Sequence, residues 1–152
     1  MTLEITIESS SLTKYQKQIV KVVYSELKNN ISDVIDEIKQ LNPDNISIED
    51  LTKKILIIIS QCIKIIEKTK VNRQNLEGAD KKQIVLELGK IILITEIEDT
   101  NITSVIVPIY DTISEEILET IIDVSSHVNI EVKKGCAVLF TKIKHNLNKC
   151  LK

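Results

Sequence analysis

Cysteine and histidine are the residues in this chain with the clearest capacity for covalent chemistry. Cys136 directly follows Lys133-Lys134-Gly135 and lies near the start of a predicted helix. Nearby cations and a helix N-terminus both lower the pKa of a thiol, which favours a reactive thiolate. His127 or His145 would serve as the general base. The following residues, 137–140, are apolar and match no catalytic signature, so we expect a buried apolar cysteine and no enzymatic activity.

A metal site is the second chemistry to consider, because Cys136, His145 and Cys150 lie within one short segment. Structural zinc sites use four ligands arranged in close pairs such as C-x₂₋₄-C or H-x₃₋₅-H. The segment has no close cysteine pair, and His127 is distant from it in the sequence. The glycines of the chain are isolated and form no phosphate-binding loop. The sequence therefore predicts no catalytic residue, no metal and no cofactor.

Carboxylates form a third group, on one surface of a predicted helix. They are Asp111, Glu115, Glu116 and Glu119. Paired carboxylates can bind a divalent cation or transfer protons. No histidine accompanies them in a Glu-x-x-His arrangement, so a solvated helix face is the simpler interpretation of this acidic surface.

The most specific feature of the sequence is a change in the sign of its charge. Residues 1–90 carry fourteen basic and thirteen acidic side chains, which nearly balance. Ile91 to Val132 carry nine acidic side chains and no basic one, whereas Lys133 to Lys152 carry six lysines and no acid. The total of −2 conceals this arrangement. A segment of one sign attached to a body of the other sign indicates contact, either with the body itself or with a partner.

The basic segment is the main candidate for binding. Its helical part, predicted over residues 136–151, has an apolar side made of Leu139, Phe140, Ile143 and Leu147. Such a helix can lie on anionic lipid, contact nucleic-acid phosphates, dock in an acidic protein groove, or pack on the acidic half of its own chain. Sequence-specific base reading favours Arg, Asn and Gln over lysine. The candidate contact residues are Lys133, Lys134, Lys142, Lys144, Lys149 and Lys152.

The elements that must position these residues follow from the apolar spacing. Residues 48–70 are apolar around most of the helix circumference, which predicts a buried central helix opened by Ser47 as N-cap. Further helices are predicted from about Thr13 to Asn30, from a Ser32 cap to Leu41, over residues 80–95, and from a first turn that contains Pro108. Strict alternation in residues 2–8 and 127–133 predicts two short strands that pair as a ribbon.

These elements predict a mainly α fold. The 152 residues should form a single compact bundle of five or six helices, with a basic C-terminal helix over about 136–151. Gly89 in the middle of a helix predicts a close approach of two helices. The odd number of cysteines favours free thiols in a reducing compartment, and the N-terminus lacks a secretory signal. The apolar runs are too short for a transmembrane segment. We therefore expect a cytoplasmic protein that is not secreted.

A family resemblance comes from LEGADKKQIVLELGKII at residues 76–92 and the apolar stripe of residues 108–132. These segments resemble small Ile/Lys/Asn-rich helical proteins of nucleocytoplasmic large DNA viruses, over about residues 48–133. No activity is assigned to that family, so the resemblance implies a context, the infected host cytoplasm or the virion, and no site residues.

The sequence favours a non-enzymatic structural or protein-interaction protein that associates with itself, as a virion component or a host-factor binder. No small-molecule substrate is expected. The first alternative is a phosphate-binding module that acts on nucleic acid or an anionic membrane surface through its lysines. A second alternative is a helical modulator of host signalling with a Bcl-2-like fold, which the size and the helix count fit.

Overall fold

The computed structural model describes residues 2–71, 74–75 and 78–128 of the chain. This part of the chain is a packed bundle of α-helices, as the sequence predicted, and it also contains one short hairpin that the sequence analysis did not predict. The elements are α1 (Leu3–Glu8), α2 (Lys14–Asn30), α3 (Ser32–Lys39), α4 (Ile48–Lys68), β1 (Lys70–Val71), β2 (Gln74–Asn75), α5 (Gly78–Glu96) and α6 (Thr100–Val128). β1 and β2 pair antiparallel, with Lys70 opposite Asn75.

Helix α4 is the centre of the bundle. It begins where Ser47 Oγ accepts a hydrogen bond from the Asp50 backbone N–H at 3.3 Å, which confirms the predicted cap. The helix packs against α2, α3, α5 and α6. Ile55, Ile58 and Ile59 are fully buried. Burying each such side chain stabilises the folded state by roughly 1.5–3 kcal/mol relative to leaving it exposed. This gain explains why the helix lies inside the bundle.

The remaining helices pack around the α4–α5 pair. Helix α2 contacts both α4 and α5, and α6 also contacts both. Helix α1 packs on α5 and α2, and α3 packs on α4. A single cluster of buried apolar side chains runs through all six helices.

The start of α2 is fixed by a complete capping box. Gln16 N–H donates to Thr13 Oγ1 at 3.2 Å, and Thr13 N–H donates to Gln16 Oε1 at 3.0 Å. The amide nitrogen of the Gln16 side chain also donates to Asp80 Oδ1 at 2.9 Å. This bond connects the first turn of α2 to the first turn of α5.

The predicted strand over residues 2–8 is wrong, because this segment is helix α1. Thr2 is the N-cap, and its Oγ1 accepts from the Ile5 N–H at 3.4 Å. Thr6 and Ile7 are buried, whereas Ile5 is 57% exposed. A strand would bury Ile5 and Ile7 on the same face, but a helix buries neighbouring positions such as 6 and 7. Seven residues are too few for the apolar pattern to separate the two periods.

The ribbon predicted between residues 2–8 and 127–133 is therefore wrong as well. His127 and Val128 belong to α6, and residues 129–133 lie outside the described residues. The hairpin that the structure does describe connects α4 to α5.

The position predicted for Pro108 also requires correction. Helix α6 begins at Thr100, so Pro108 lies inside the helix and not in its first turn. Asp99 caps this helix, since its Oδ1 accepts from the Asn101 N–H at 2.9 Å. Buried Ile102 and Ile106 extend the apolar stripe to the N-terminal side of the proline. We expected the proline to mark a helix start, but core packing of these residues outweighs its unfavourable helix propensity.

The cap predicted for α3 is wrong too. Ile31 is the N-cap residue, and no side chain caps the helix. The Ser32 hydroxyl instead donates to the Asn29 carbonyl of α2 at 3.3 Å. One residue thus separates α2 from α3, and that residue, Ile31, is fully buried.

Candidate functional site

The acidic surface of α6 is bound by lysines of α5. Asp111, Glu115 and Glu119 are exposed, whereas Glu116 is partly buried. Lys90 Nζ lies 3.0 Å from Asp111 Oδ1. Lys82 Nζ lies 3.3 Å from Glu115 Oε1 and also forms a hydrogen-bonded ion pair with Glu119. Most of this acidic surface therefore helps to hold α5 against α6.

These ion pairs determine what the carboxylates can do. Hydrogen bonds to Glu119 and Glu115 raise the pKa of Lys82, which favours its charged form. A lysine that occupies two carboxylates competes with a divalent cation for them. Within the described ranges, no cluster of three or more His, Cys, Asp or Glu side chains has the arrangement of a metal site.

Of the three cysteines, only Cys62 belongs to the described part of the chain. It is fully buried in α4, and burial raises the pKa of its thiol far above the usual range. A buried, protonated thiol is a poor nucleophile. Cys136, Cys150, His145 and the six lysines of residues 133–152 lie outside the described residues.

An apolar groove is present at the end of the bundle where α4 ends and α5 begins. It has a volume of about 260 Å³. Its apolar lining comes from three helices: Ile63 and Ile66 of α4, Val85 of α5, and Leu118 and Ile122 of α6. Ile122 is 45% exposed, which makes it the most exposed apolar residue of this lining. We call this feature the α4–α6 groove.

Charged side chains surround the α4–α6 groove. Glu67, Lys81 and Lys82 contribute to its lining. Lys81 Nζ lies 3.1 Å from Glu67 Oε2, and Lys82 forms ion pairs with Glu115 and Glu119 of α6. An apolar centre with a charged rim is the usual composition of a protein-binding surface.

A second cleft, of about 400 Å³, lies between α1 and α5. Serines 9, 10 and 11 line it together with Glu87 and Lys90. The Ser9 hydroxyl donates to the Ile5 carbonyl at 2.9 Å, and the Ser11 hydroxyl donates to Glu87 Oε1 at 3.1 Å. No histidine is among the lining residues to activate a serine. These hydroxyls are occupied by bonds that stabilise the end of α1.

The residues of the α4–α6 groove were not singled out from the sequence. Ile117 and Ile121 belong to the apolar stripe of residues 108–132, and both are buried. The neighbouring Leu118 and Ile122 were a usable signal, because two adjacent apolar positions in successive turns widen a stripe beyond one contact face.

Comparison with known proteins identifies no relative. No family model, no curated protein and no solved structure matches the chain. Among the described residues, no helix combines the length and the apolar character that crossing a membrane requires.

Proposed function

We propose that this protein is a non-enzymatic structural or protein-interaction protein that binds an amphipathic helix and associates with copies of itself. The observation that carries the proposal is the α4–α6 groove. Five apolar side chains from three helices are brought together there. Ile122 is 45% exposed and Ile63 is partly buried, whereas Ile66, Val85 and Leu118 are almost fully buried and form the floor of the groove.

The size of the groove favours a helix over a small molecule. Its volume of about 260 Å³ lies below the range of roughly 300–1,000 Å³ that is typical of small-molecule sites. It can accept one or two large side chains. Helix-in-groove recognition uses such anchors, spaced three or four residues apart, while charges around the groove select the partner.

The sequence resemblance supports a viral context for this activity. A small helical protein of a large DNA virus would meet its partners in the host cytoplasm or in the virion. The change in sign of the charge supports self-association, because acidic and basic surfaces of different copies attract each other.

Light scattering after size exclusion tests the proposal on the full chain. Ile122→Glu places a charge at the edge of the groove, and Ile57→Glu is its matched control, because Ile57 is similarly exposed at 42% on α4 but does not line the groove. At high protein concentration, we expect oligomers for the natural chain and the Ile57 variant, and monomers for the Ile122 variant. A natural chain that stays monomeric at high concentration and captures no virion or host component contradicts the proposal.

A second function, phosphate binding, is favoured by the six lysines and the absence of acids in residues 133–152. It predicts binding to a DNA fragment or to anionic vesicles that weakens steeply with salt. Replacing Lys142, Lys144 and Lys149 with glutamine should lower the salt slope for DNA by about 0.9 for each lost phosphate contact.

The control variant replaces three exposed lysines elsewhere, Lys14, Lys39 and Lys64, with glutamine. It therefore has the same net charge as the variant of the C-terminal segment. Binding that is insensitive to salt, or equally reduced in both triple variants, argues against a phosphate site in the C-terminal segment.

A further inference from the structure

We infer that the ligand of the α4–α6 groove in the isolated protein is the chain's own C-terminal segment, residues 136–151. The inference rests on the proposed function, because it names a ligand for the same groove. Four properties support it: the distance to be covered, the apolar spacing of the segment, the charges on both sides, and the tether.

The distance is short. Helix α6 is described to Val128, six residues beyond Ile122, which at 1.5 Å per residue is about 9 Å. Residues 129–135 can span up to roughly 25 Å when extended. This length is sufficient for the chain to turn back and bring Cys136 to the groove.

The apolar spacing of the segment suits the groove. At 100° per residue, Leu139, Ile143 and Leu147 lie within an arc of about 80° on one side of a helix, and Phe140 extends that side. Helix-in-groove sites bind anchors spaced three or four residues apart, and one or two of these side chains would fill a groove of about 260 Å³. Phe140, the only phenylalanine of the chain, is the largest side chain available to fill the groove.

The charges of the two surfaces are complementary. Lys142 and Lys144 lie about 100° to either side of Ile143 and would flank the apolar side of the segment. On the bundle, the carboxylates of Glu67, Glu115 and Glu119 are all exposed. Glu67, Lys81 and Lys82 line the groove itself, and Glu115 and Glu119 lie beside it through their ion pairs with Lys82, so the five side chains together carry a net charge of −1. The surroundings of the groove therefore attract a basic segment.

The tether favours the chain's own segment over that of a second copy. A short linker gives an effective concentration in the millimolar range, which exceeds ordinary protein concentrations. Self-association then requires copies to exchange segments, as in domain swapping. An outside helix must displace the segment before it can bind, which lowers its apparent affinity.

Disulfide trapping on the full chain tests the inference, because the segment already carries Cys136 and Cys150 at its ends. Lys81→Cys places a thiol at the groove, and Glu67→Cys provides a second position at its edge. The matched control is Val22→Cys, on α2, where the side chain is 78% exposed and does not line the groove. Each variant is oxidised mildly at several protein concentrations, and the products are identified by mass spectrometry.

We expect a disulfide within one chain, from position 81 or 67 to Cys136 or Cys150, several-fold above the Val22 control. Its yield should not change with protein concentration, and Leu139→Asp with Leu147→Asp should reduce it to the control level. Disulfides formed only between copies overturn the inference but leave self-association intact. Yields equal to the control at both groove positions overturn it as well, and the light-scattering result then decides the proposed function separately.

Discussion

At the scale of single residues, Gly89 of α5 and Tyr110 of α6 pack in close contact. Tyr110 is almost fully buried, and its hydroxyl donates to the Leu86 carbonyl at 2.7 Å. A Cβ atom at position 89 would overlap the Tyr110 hydroxyl and lie 3.0 Å from its Cζ. The predicted close approach of two helices at Gly89 is therefore confirmed, and the glycine is required by its neighbour in spite of its cost in a helix.

Gly89→Ala should destabilise the protein, although alanine has the higher helix propensity. We expect a loss of about 1–3 kcal/mol in the free energy of unfolding, as for other overpacked cores, measured by urea denaturation. The loss should be smaller when Tyr110→Phe removes the overlapping hydroxyl. Gly78→Ala is the control, because no atom lies within 4 Å of a Cβ at that position. Equal effects at positions 89 and 78 would contradict this explanation.

Tyr24 should make the stability of the protein sensitive to alkaline pH. Its hydroxyl donates to Glu96 Oε1 at 2.7 Å, and Lys28 Nζ lies 3.3 Å from Glu96 Oε2. Burial, and then the hydrogen bond and the charge of Glu96, raise the pKa of Tyr24 well above its usual value. The folded state therefore holds the proton more tightly than the unfolded state. The stabilisation is complete below about pH 10 and is lost as the pH rises above that value.

Urea denaturation between pH 8 and pH 11 measures this effect. The natural chain should lose stability above pH 10 more steeply than Tyr24→Phe, by up to about 1.4 kcal/mol per pH unit. Parallel curves for the two proteins across this range would show that Tyr24 does not titrate with unfolding.

At the scale of elements, α6 is a long helix with a proline on its exposed side. Pro108 has no N–H to donate to the carbonyl of residue 104, and an interior proline costs a helix about 3 kcal/mol. Pro108→Ala should therefore raise the free energy of unfolding by about 1–3 kcal/mol, measured by the urea midpoint at constant slope. Pro43→Ala is the matched control, because Pro43 lies in the turn between α3 and α4. A gain in the control and none at position 108 would contradict the prediction.

The predicted helix boundaries agree with the structure where the apolar repeat is long. Helix α4 ends within two residues of its predicted end, because its twenty or so residues contain several turns of apolar repeat and a serine cap. Helix α1 was missed because six residues contain too little of a repeat. Pro108 was misplaced because a proline marks the start of a helix only when the residues before it do not pack as a helix. Ile102 and Ile106 precede Pro108, and both are buried in the core.

The candidate sites were less predictable than the helices. That Gly89 needs a close neighbour could be predicted, but not that the neighbour is Tyr110, because the pairing of distant positions depends on how α5 and α6 are aligned. The α4–α6 groove depends in the same way on the alignment of three helices. The acidic surface of α6 was predicted residue by residue, but its lysine partners on α5 were not.

At the scale of the whole molecule, Cys62 reports on the opening of the core. It is fully buried at the centre of a cluster that runs through all six helices. In a chain with Cys136→Ser and Cys150→Ser, Cys62 is the only thiol. Its reaction with a thiol reagent should be slower than in the unfolded chain by a factor of about 10³ or more. This factor is the equilibrium ratio of folded to unfolded molecules in an ordinary small domain. Rapid labelling in the native state would indicate a loosely packed core.

The labelling rate of Cys62 should also respond to a substitution at Gly89. Gly89→Ala should accelerate the labelling of Cys62 in proportion to its loss of stability if the core opens as one unit. An unchanged rate would mean that Cys62 is reached through a local opening that does not involve α5 and α6.

The composition of the groove wall has a consequence for selectivity. Ile63, Ile66, Val85 and Ile122 are all β-branched, and on a helix such side chains are restricted almost entirely to one χ1 rotamer. Promiscuous binding proteins use methionine, whose unbranched side chain adapts to many shapes. A wall of isoleucine and valine cannot adapt in this way, so ligands that differ by a single methyl group should be distinguished by fit. The groove is therefore suited to one ligand shape and not to a family of them.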